Sequence, residues 1–417
     1  MKDNAAGLLP FRIEPLTSSL ICLVAIVMWC VVNSPIEPLP FTFPAPLPRL
    51  EGPLRENKAL QAAVRLFEGR ILGPESFAVD ENGTIYTGTA DGRILSIYRI
   101  STNKSSSSEE QFDKSPHLVV RTGLAHPHCG QPHMEEQCGR PKGMKFGPDG
   151  YLYVVDSYKG LIKVDVHKEK METLVSSEVG CDGLPFRFLN SLDIAPDDGI
   201  YFTDSTFKWQ RRDFRYAVLE TRPDGRLLHY DSTTGVCRTV LSGLYLANGL
   251  TLSHDKTFIL VNEMSVARIR RYFLSGKKKG TSDVFADNLP GFPDNIKPNS
   301  RGNYFVGMGS VRFKGSSPIG SFLDLIAPYP SLKKFIAAIM PLQAYNVFMP
   351  KHALAVEIDD SGIIVNSLHD PEAETIAAVS ELFEFNNTLY IGHFQSSYLG
   401  VLHMNDLNEQ RGACNET

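Results

Sequence analysis

Five residues bearing hard oxygen donors stand just ahead of short, strand-like runs: Glu75 in GPES, Asn190 in FLNSLDI, Asn248 in YLANGLTLS, and the adjacent Asp294 and Asn295 in GFPDNIK. Each alone has a plainer use. Asn before Gly is a turn residue, Glu after Pro is a cap, and Asp294–Asn295 fits an Asx-turn that caps a strand. What distinguishes the set is position, because each falls on the same side of its own hairpin. Gathered at one point, two carboxylates and three amides supply the oxygen ligands that calcium takes, with room left for water or a substrate.

Something must bring residues more than two hundred positions apart together, and the pattern between them indicates what. From Phe77 onward an apolar alternating run, a turn of Asp, Asn and Gly, and an aromatic-rich run recur as FAVDENGTIYTGTADGRIL, MKFGPDGYLYVVDSYKGLIKVD, LDIAPDDGIYFTDS, LTLSHDKTFILVNEMSVARIRRY, IKPNSRGNYFVGMGSVR and VEIDDSGIIVNSL. Period-two alternation around Asp/Asn/Gly turns reads as hairpins, and hairpins recurring about every fifty to sixty residues read as propeller blades. Six hairpins give an all-β fold, a six-bladed β-propeller spanning residues 61–417. The closing stretch VSELFEFNNTLYIGHFQSSYLGVLHM joins the last blade, and a strand within Val64 to Leu72 closes the ring. Loops at one end of such a ring converge on its axis. One segment departs from the pattern: Leu332, Phe335, Ile336, Ile339 and Met340 have the spacing of an amphipathic helix over Ser331–Pro341, with Lys333 and Lys334 on its other side.

The chain has 417 residues, 42% of them apolar, and a formal net charge of -5, so it can bury a large core and carries no basic domain for nucleic acid. Its N-terminus differs from the rest. Leu20 to Val32 is uninterrupted apolar sequence, reaching the lower limit for a spanning helix when counted from Leu16. Pro35 follows the nearest small-residue cleavage position, which favours an uncleaved anchor. The expected layout is a cytosolic tail over 1–15, a signal-anchor transmembrane helix over 16–33 and a proline-rich stalk over 34–60. Lys2 and Arg12 before the run, against Arg49 after it, place the N-terminus in the cytosol, giving a single-pass type II protein with its body outside the cell or in the lumen. Sequons at Asn82, Asn103, Asn386 and Asn415 suit that compartment. So does a local disulfide between Cys129 and Cys138, although His126, His128 and His133 around them leave zinc as an alternative; Cys181, Cys237 and Cys414 have no evident partner.

Read in order, GPES, TGTADGR, CGRPKGMKFGPDG, YFTDSTFKWQRRD, ARIRRY, PGFPDNI and SLHDP resemble the strictosidine-synthase-like branch of the calcium-dependent phosphotriesterase and paraoxonase superfamily, from about Leu66 to about Gly400. The resemblance implies a six-bladed propeller with one axial calcium held by Glu75, Asn190, Asn248, Asp294 and Asn295, and a loop disulfide between Cys129 and Cys138. It also marks departures. Ser380 stands where strictosidine synthases carry a catalytic glutamate, and Glu381 beside it faces the opposite side, which argues against Pictet-Spengler condensation. Lys142 stands where paraoxonases place a histidine of their dyad. Ser76 and Ser191 stand at acidic positions of a second, structural calcium, so a single metal is expected.

The function expected is a membrane-anchored, calcium-dependent hydrolase of small aryl esters or lactones, with Glu75 or Asp294 accepting the proton of the attacking water and Lys142 aiding the oxyanion. The alternative is a non-catalytic propeller that keeps calcium for rigidity and binds a protein or lipid partner at the cell surface.

Overall fold

The computed structural model describes residues 15–417 apart from 101–110, 198, 317–322, 343, 345–349, 406 and 408–417. Six antiparallel four-stranded sheets follow one another along the chain. Their first, innermost strands are Phe77–Val79, Pro141–Phe146, Leu189–Ile194, Ala247–Leu252, Gly291–Pro298 and Glu381–Phe385, and each packs beside the next around a common channel. The short strand Val64–Leu66 pairs with Leu399–His403, so the last blade is built from both ends of the body and the ring is closed.

The blade count of six holds, and blade content differs in one respect from the sequence expectation. The sixth hairpin, VEIDDSGIIVNSL, forms the two outer strands of the fifth blade, Ala353–Ile358 and Ile364–Asp370. The sixth blade is the closing stretch itself. An insertion between Val311 and Ala353 separates the two halves of blade five, which is why its second hairpin reads as an independent unit.

The recurrent turns have a simple cause. Asp80 Oδ1 accepts the Asn82 and Thr84 amides, and Asp359 Oδ1 accepts those of Ser361 and Ile363, so each carboxylate closes a turn that the backbone alone leaves open. Gly362 completes one with φ +91°, and a Cβ there would stand 2.1 Å from the Phe285 carbonyl oxygen of the neighbouring blade. Between blades, buried apolar side chains form contiguous clusters, such as Leu260, Ile269, Phe292, Val306 and Val356 between blades four and five.

The apolar N-terminal run is a helix over Pro15–Val32 whose last turn rests on the body: Cys30 is buried while Leu20, Ile26 and Trp29 are exposed. Among the described residues no helix meets the length and apolarity needed to cross a membrane. The proline-rich segment after it is extended and lies along the propeller. Ile36 and Phe43 are buried, the Phe41 amide donates to the Ala327 carbonyl at 3.0 Å, and the Lys314 amide donates to that of Pro48 at 2.9 Å.

The helix expected over 331–341 runs from Pro330 to Ile339, but it is turned differently. Lys333 faces inward, bonded to Thr221 Oγ1 at 3.0 Å beside the buried Ile336 and Ala337, while Leu332 and Ile339 face outward. The helix packs on a shorter one, Phe214–Glu220, above blade three.

Two disulfides are present among the described residues. Cys129–Cys138 ties the loop that the spacing suggested, leaving no thiols there for zinc, and Cys181–Cys237 joins the segment between blades two and three to the outermost strand of blade three. Cys414 lies outside the described residues. Of the sequons, Asn82 and Asn386 sit on exposed turns at the ends of the inner strands remote from Glu75, whereas Asn103 and Asn415 lie outside the described residues.

Candidate functional site

Four inner strands carry the same defect at the same height. Pairing slips by one residue between Pro141 and Met144, between Leu189 and Leu192, between Ala247 and Leu250, and between Pro293 and Ile296. The bulged residues are Lys142-Gly143, Asn190-Ser191, Asn248-Gly249 and Asp294-Asn295. A bulge frees one residue from the ladder and re-aims its side chain, here toward the channel. The strands also approach very closely: a Cβ on Gly143 would lie 2.5 Å from Ser191 Cα, and one on Gly249 would lie 2.4 Å from Asn295 Cα. Glu75 and Ser380 occupy the corresponding places just ahead of the other two inner strands.

Glu75, Lys142, Asn248 and Asp294 thereby share one pocket, walled above by Phe188, Arg211, Phe214, Leu246, Met264 and Phe394. Its free space is about 20 Å³, enough for a single water or ion. Lys142 Nζ lies 2.6 Å from Glu75 Oε1, and Arg140 Nη2 stands 3.7 Å from Glu75 Oε2. Burial pushes Glu75 up, but the charges of Lys142, Arg140 and Arg211 outweigh it and hold the carboxyl below its usual range. Asp294 goes the other way, pushed up to about 7 by burial and by the charge of Glu75, against Lys142 and hydrogen bonds from Ser380 and Asn248.

What the oxygens lack is as informative as what they have. Glu75 Oε2, Asn190 Oδ1, Asn248 Oδ1 and Asn262 Oδ1 are buried with no hydrogen-bond partner. The amide nitrogens beside them are engaged: Asn190 Nδ2 donates to Ser205 Oγ at 3.1 Å, Asn248 Nδ2 to Met264 Sδ at 3.2 Å, and Asn262 Nδ2 to the Asp294 carbonyl at 2.8 Å. Each amide is thus fixed with its oxygen left over. Leaving a buried acceptor unmade costs about 1–3 kcal/mol, and native proteins keep such groups for a ligand or a water. Oxygen donors that are partly anionic are the type a hard divalent cation takes, although Lys142 Nζ stands among them and the described residues hold no group of three or more His, Cys, Asp or Glu that could hold a metal ion. Asn295 is buried beside Asp294, its backbone amide donating to the Ser380 carbonyl at 2.9 Å, but it is absent from the pocket wall, and so is the buried Asn190.

Several residues here were not evident from sequence. Arg211 is buried in the roof, its Nη1 2.7 Å from Glu135 Oε1, while Tyr158 donates to Glu135 Oε2 at 2.7 Å. Arg212, its neighbour, makes an ion pair at the rim, 3.5 Å from Glu136. Arg140 and Asn262 carried no local signal, and neither did His393. That imidazole is pushed down to about 4 by burial, although Glu75 draws it upward. Ser380 bonds Asp294 on the site side, while Glu381, one residue on, faces the lower channel, as strand alternation requires.

A closed ring of six blades around a polar axial pocket defines a β-propeller with an oxygen-lined centre. Profiles of two families match the chain, strictosidine synthase over residues 190–277 and the strictosidine synthase-like N-terminal region over residues 52–97. Adipocyte plasma membrane-associated protein of Bos taurus is 41% identical over 370 residues, covering 88% of this chain and 85% of that one. Its Homo sapiens counterpart is 40% identical over 370 residues, covering 88% and 84%. Strictosidine synthase-like 10 of Arabidopsis thaliana is 37% identical over 337 residues, covering 79% and 84%. The chain therefore belongs to the strictosidine-synthase-like family. Among solved structures, a gluconolactonase from Xanthomonas campestris superposes with a TM-score of 0.52 at 14% identity, over 89% of this chain and 99% of its own, which shows a shared fold alone.

Proposed function

We propose that this protein is a calcium-dependent hydrolase of small aryl esters or lactones, held at a membrane by helix 15–32 with its propeller on the lumenal or extracellular side. The observation that carries the reading is the pair of partnerless oxygens on Glu75 and Asn248 in one pocket with Asp294, with a further one on Asn190 at the same level of the neighbouring inner strand. When bound among them, calcium would polarise a carbonyl and stabilise the oxyanion that forms, a contribution of several kcal/mol in such sites. Glu75, kept ionised by its cationic neighbours, serves as the anchoring carboxylate. Asp294, at the pocket wall beside Glu75, receives the proton of the attacking water. Lys142 Nζ supplies a hydrogen-bond donor at the pocket wall for the same oxyanion. The membrane placement rests on the apolar helix and on the relatives' name, and the lumenal placement on the two disulfides and the exposed Asn82 and Asn386, which we take as glycosylated.

A second reading is favoured by one observation. The pocket admits an ion but no aryl group unless Phe214 or Phe394 swings aside, which suits a non-catalytic propeller that keeps calcium for rigidity and binds a partner. Purified full-length protein assayed with phenyl acetate and an aryl lactone, with and without chelator, separates the two. Turnover lost to chelator supports the enzyme, whereas calcium binding without turnover of either compound supports the binder.

A further inference from the structure

The helix Pro330–Ile339 is amphipathic in an unusual sense. It buries a lysine beside Ile336 yet exposes two large apolar residues: Leu332 is 41% and Ile339 55% accessible, and just before them Leu325 and Tyr329 are 68% and 60% accessible. The patch lies on the end of the ring that holds the pocket, because the insertion carrying it leaves blade five after Val311, opposite Gly291 at the upper end of the inner strand. Lys333 is held inward by Thr221 Oγ1 and by the charge of Glu220, which leaves Leu332 and Ile339 on the outer face as an apolar patch.

What covers the patch is indicated by its neighbour. Helix 15–32 packs on helix 330–339. The contact is made by its last turns, since Cys30 is buried and Val27 and Val31 are half-buried while the side chains from Leu20 to Ile26 stand exposed. Eighteen helical residues span about 27 Å, slightly less than the roughly 30 Å of a hydrocarbon core, so a spanning helix of this length has no turn to spare outside it. Its last turn then lies at the boundary of the hydrocarbon, and so does the helix it touches. We propose that helix 330–339 and the preceding Leu325–Tyr329 segment lie in the interfacial layer of the bilayer that holds helix 15–32, so that the axial pocket faces the membrane and takes its ester or lactone substrates from the lipid phase. The substrate half of this inference rests on the hydrolase reading; the membrane-facing half does not.

An apolar route joins the patch to the pocket. Ile336 and Ala337 pack with Leu219 and Trp209, and Trp209 also packs against the cluster of Phe188, Ala217 and Leu246, of which Phe188 and Leu246 belong to the pocket wall. A substrate dissolved in the bilayer thus meets hydrocarbon surface up to the residues that must move to admit it. Asn82 and Asn386 lie at the opposite end of the ring, so sugars on them leave this face clear.

The test uses the full-length protein in phosphatidylcholine vesicles, with Cys22, Cys30 and Cys414 replaced by serine and one fluorophore-labelled cysteine introduced. Leu332→Cys is the site tested, and Ile363→Cys, 62% accessible on a turn at the far end, is the control. Dibrominated phosphatidylcholine is expected to quench the label at 332 at least threefold more than the label at 363. Equal quenching, or stronger quenching at 363, overturns the inference. For the substrate half, a Leu332→Asp, Ile339→Asp variant is expected to lose at least tenfold in kcat/KM toward a long-chain aryl ester in vesicles while keeping its rate on water-soluble phenyl acetate. Equal loss on both esters overturns that half. Quenching at 332 with neither ester hydrolysed by the unaltered protein removes the hydrolase reading and the substrate half with it, and upholds the membrane-facing half.

Discussion

Two layers of the same channel, three residues apart on the same strands, treat charge in opposite ways. Because each bulge adds one residue, positions three apart return to the same face. In the upper layer Asn190, Asn248 and Asp294 surround Lys142 and Glu75, and buried oxygens are left without partners. In the lower layer the corresponding positions are Asp193, Thr251, Lys297 and Lys145. There Lys145 Nζ is 3.1 Å from Asp193 and Lys297 Nζ is 3.7 Å from Glu381, which also accepts from Ser76 Oγ at 2.7 Å and from the Phe77 amide at 2.9 Å. Asp193 Oδ2 is satisfied by the Leu252 amide at 3.0 Å. Both layers hold lysine cations, Lys142 above and Lys145 and Lys297 below, but Glu75 Oε2, Asn190 Oδ1 and Asn248 Oδ1 in the upper layer are left without hydrogen-bond partners. That difference explains how a single channel can separate a structural plug from a site.

The largest effect is expected where the upper layer is broken. Glu75→Gln and Asn248→Ala should each lower hydrolysis about 10²–10³-fold, the scale seen when one transition-state-stabilising group is removed, and initial rates at saturating calcium check it. Next comes the lower layer. Lys297→Met leaves Glu381 buried without its counter-ion and should cost about 3 kcal/mol in denaturant unfolding, with the rate per folded molecule unchanged. Its pH dependence has a definite sign. Glu381 is already raised by burial, so in the native state it holds a proton that the unfolded chain has released, and stability falls as pH rises above the ordinary glutamate range. The penalty in Lys297→Met should therefore be smallest near pH 4 and largest near neutrality. Loss of rate with intact stability would reverse the roles of the two layers.

Removing calcium touches the upper layer alone. At a hundredfold excess of ion over its dissociation constant, binding adds about 2.7 kcal/mol, so chelator should lower the melting temperature by several degrees in the natural protein and by little in Asn248→Ala. The smallest expected effect lies off the axis, at a buried carboxylate with no lysine against it. Asp224 is pushed up to about 6 by burial, and Thr206 Oγ1 donates to it at 2.9 Å. Between the unfolded value and 6 the native state binds the extra proton, so this group opposes folding above that window. Asp224→Asn should add about 1–2 kcal/mol at pH 7.5 and nothing at pH 4, read from paired denaturation curves.

The turns made the ring legible in the sequence, because an Asp closing onto amides with a Gly near it is a local device, and local chemistry can be read along a chain. The same logic found Glu75, Asn190, Asn248 and Asp294, which lie at equal distances ahead of equivalent turns. It failed where position is set by distant neighbours. Arg140 and Arg211 reach the pocket only because blade closure brings Phe394 and Glu135 to them. Cys181, in the link before blade three, and Cys237, on its outermost strand, lie 56 residues apart, with nothing in their spacing to join them. Helix 330–339 was readable as a helix but not in its orientation, since periodicity places Leu332 with Ile336 and cannot show that Lys333 turns inward to Thr221.

The account stands or falls on where a cation binds. Crystals of the full-length protein soaked in calcium should show one anomalous peak about 2.3–2.6 Å from oxygens of Glu75, Asn190, Asn248 and Asp294, the ordinary calcium–oxygen range. No peak at that height, or a peak in the lower layer beside Asp193 and Glu381, would contradict it.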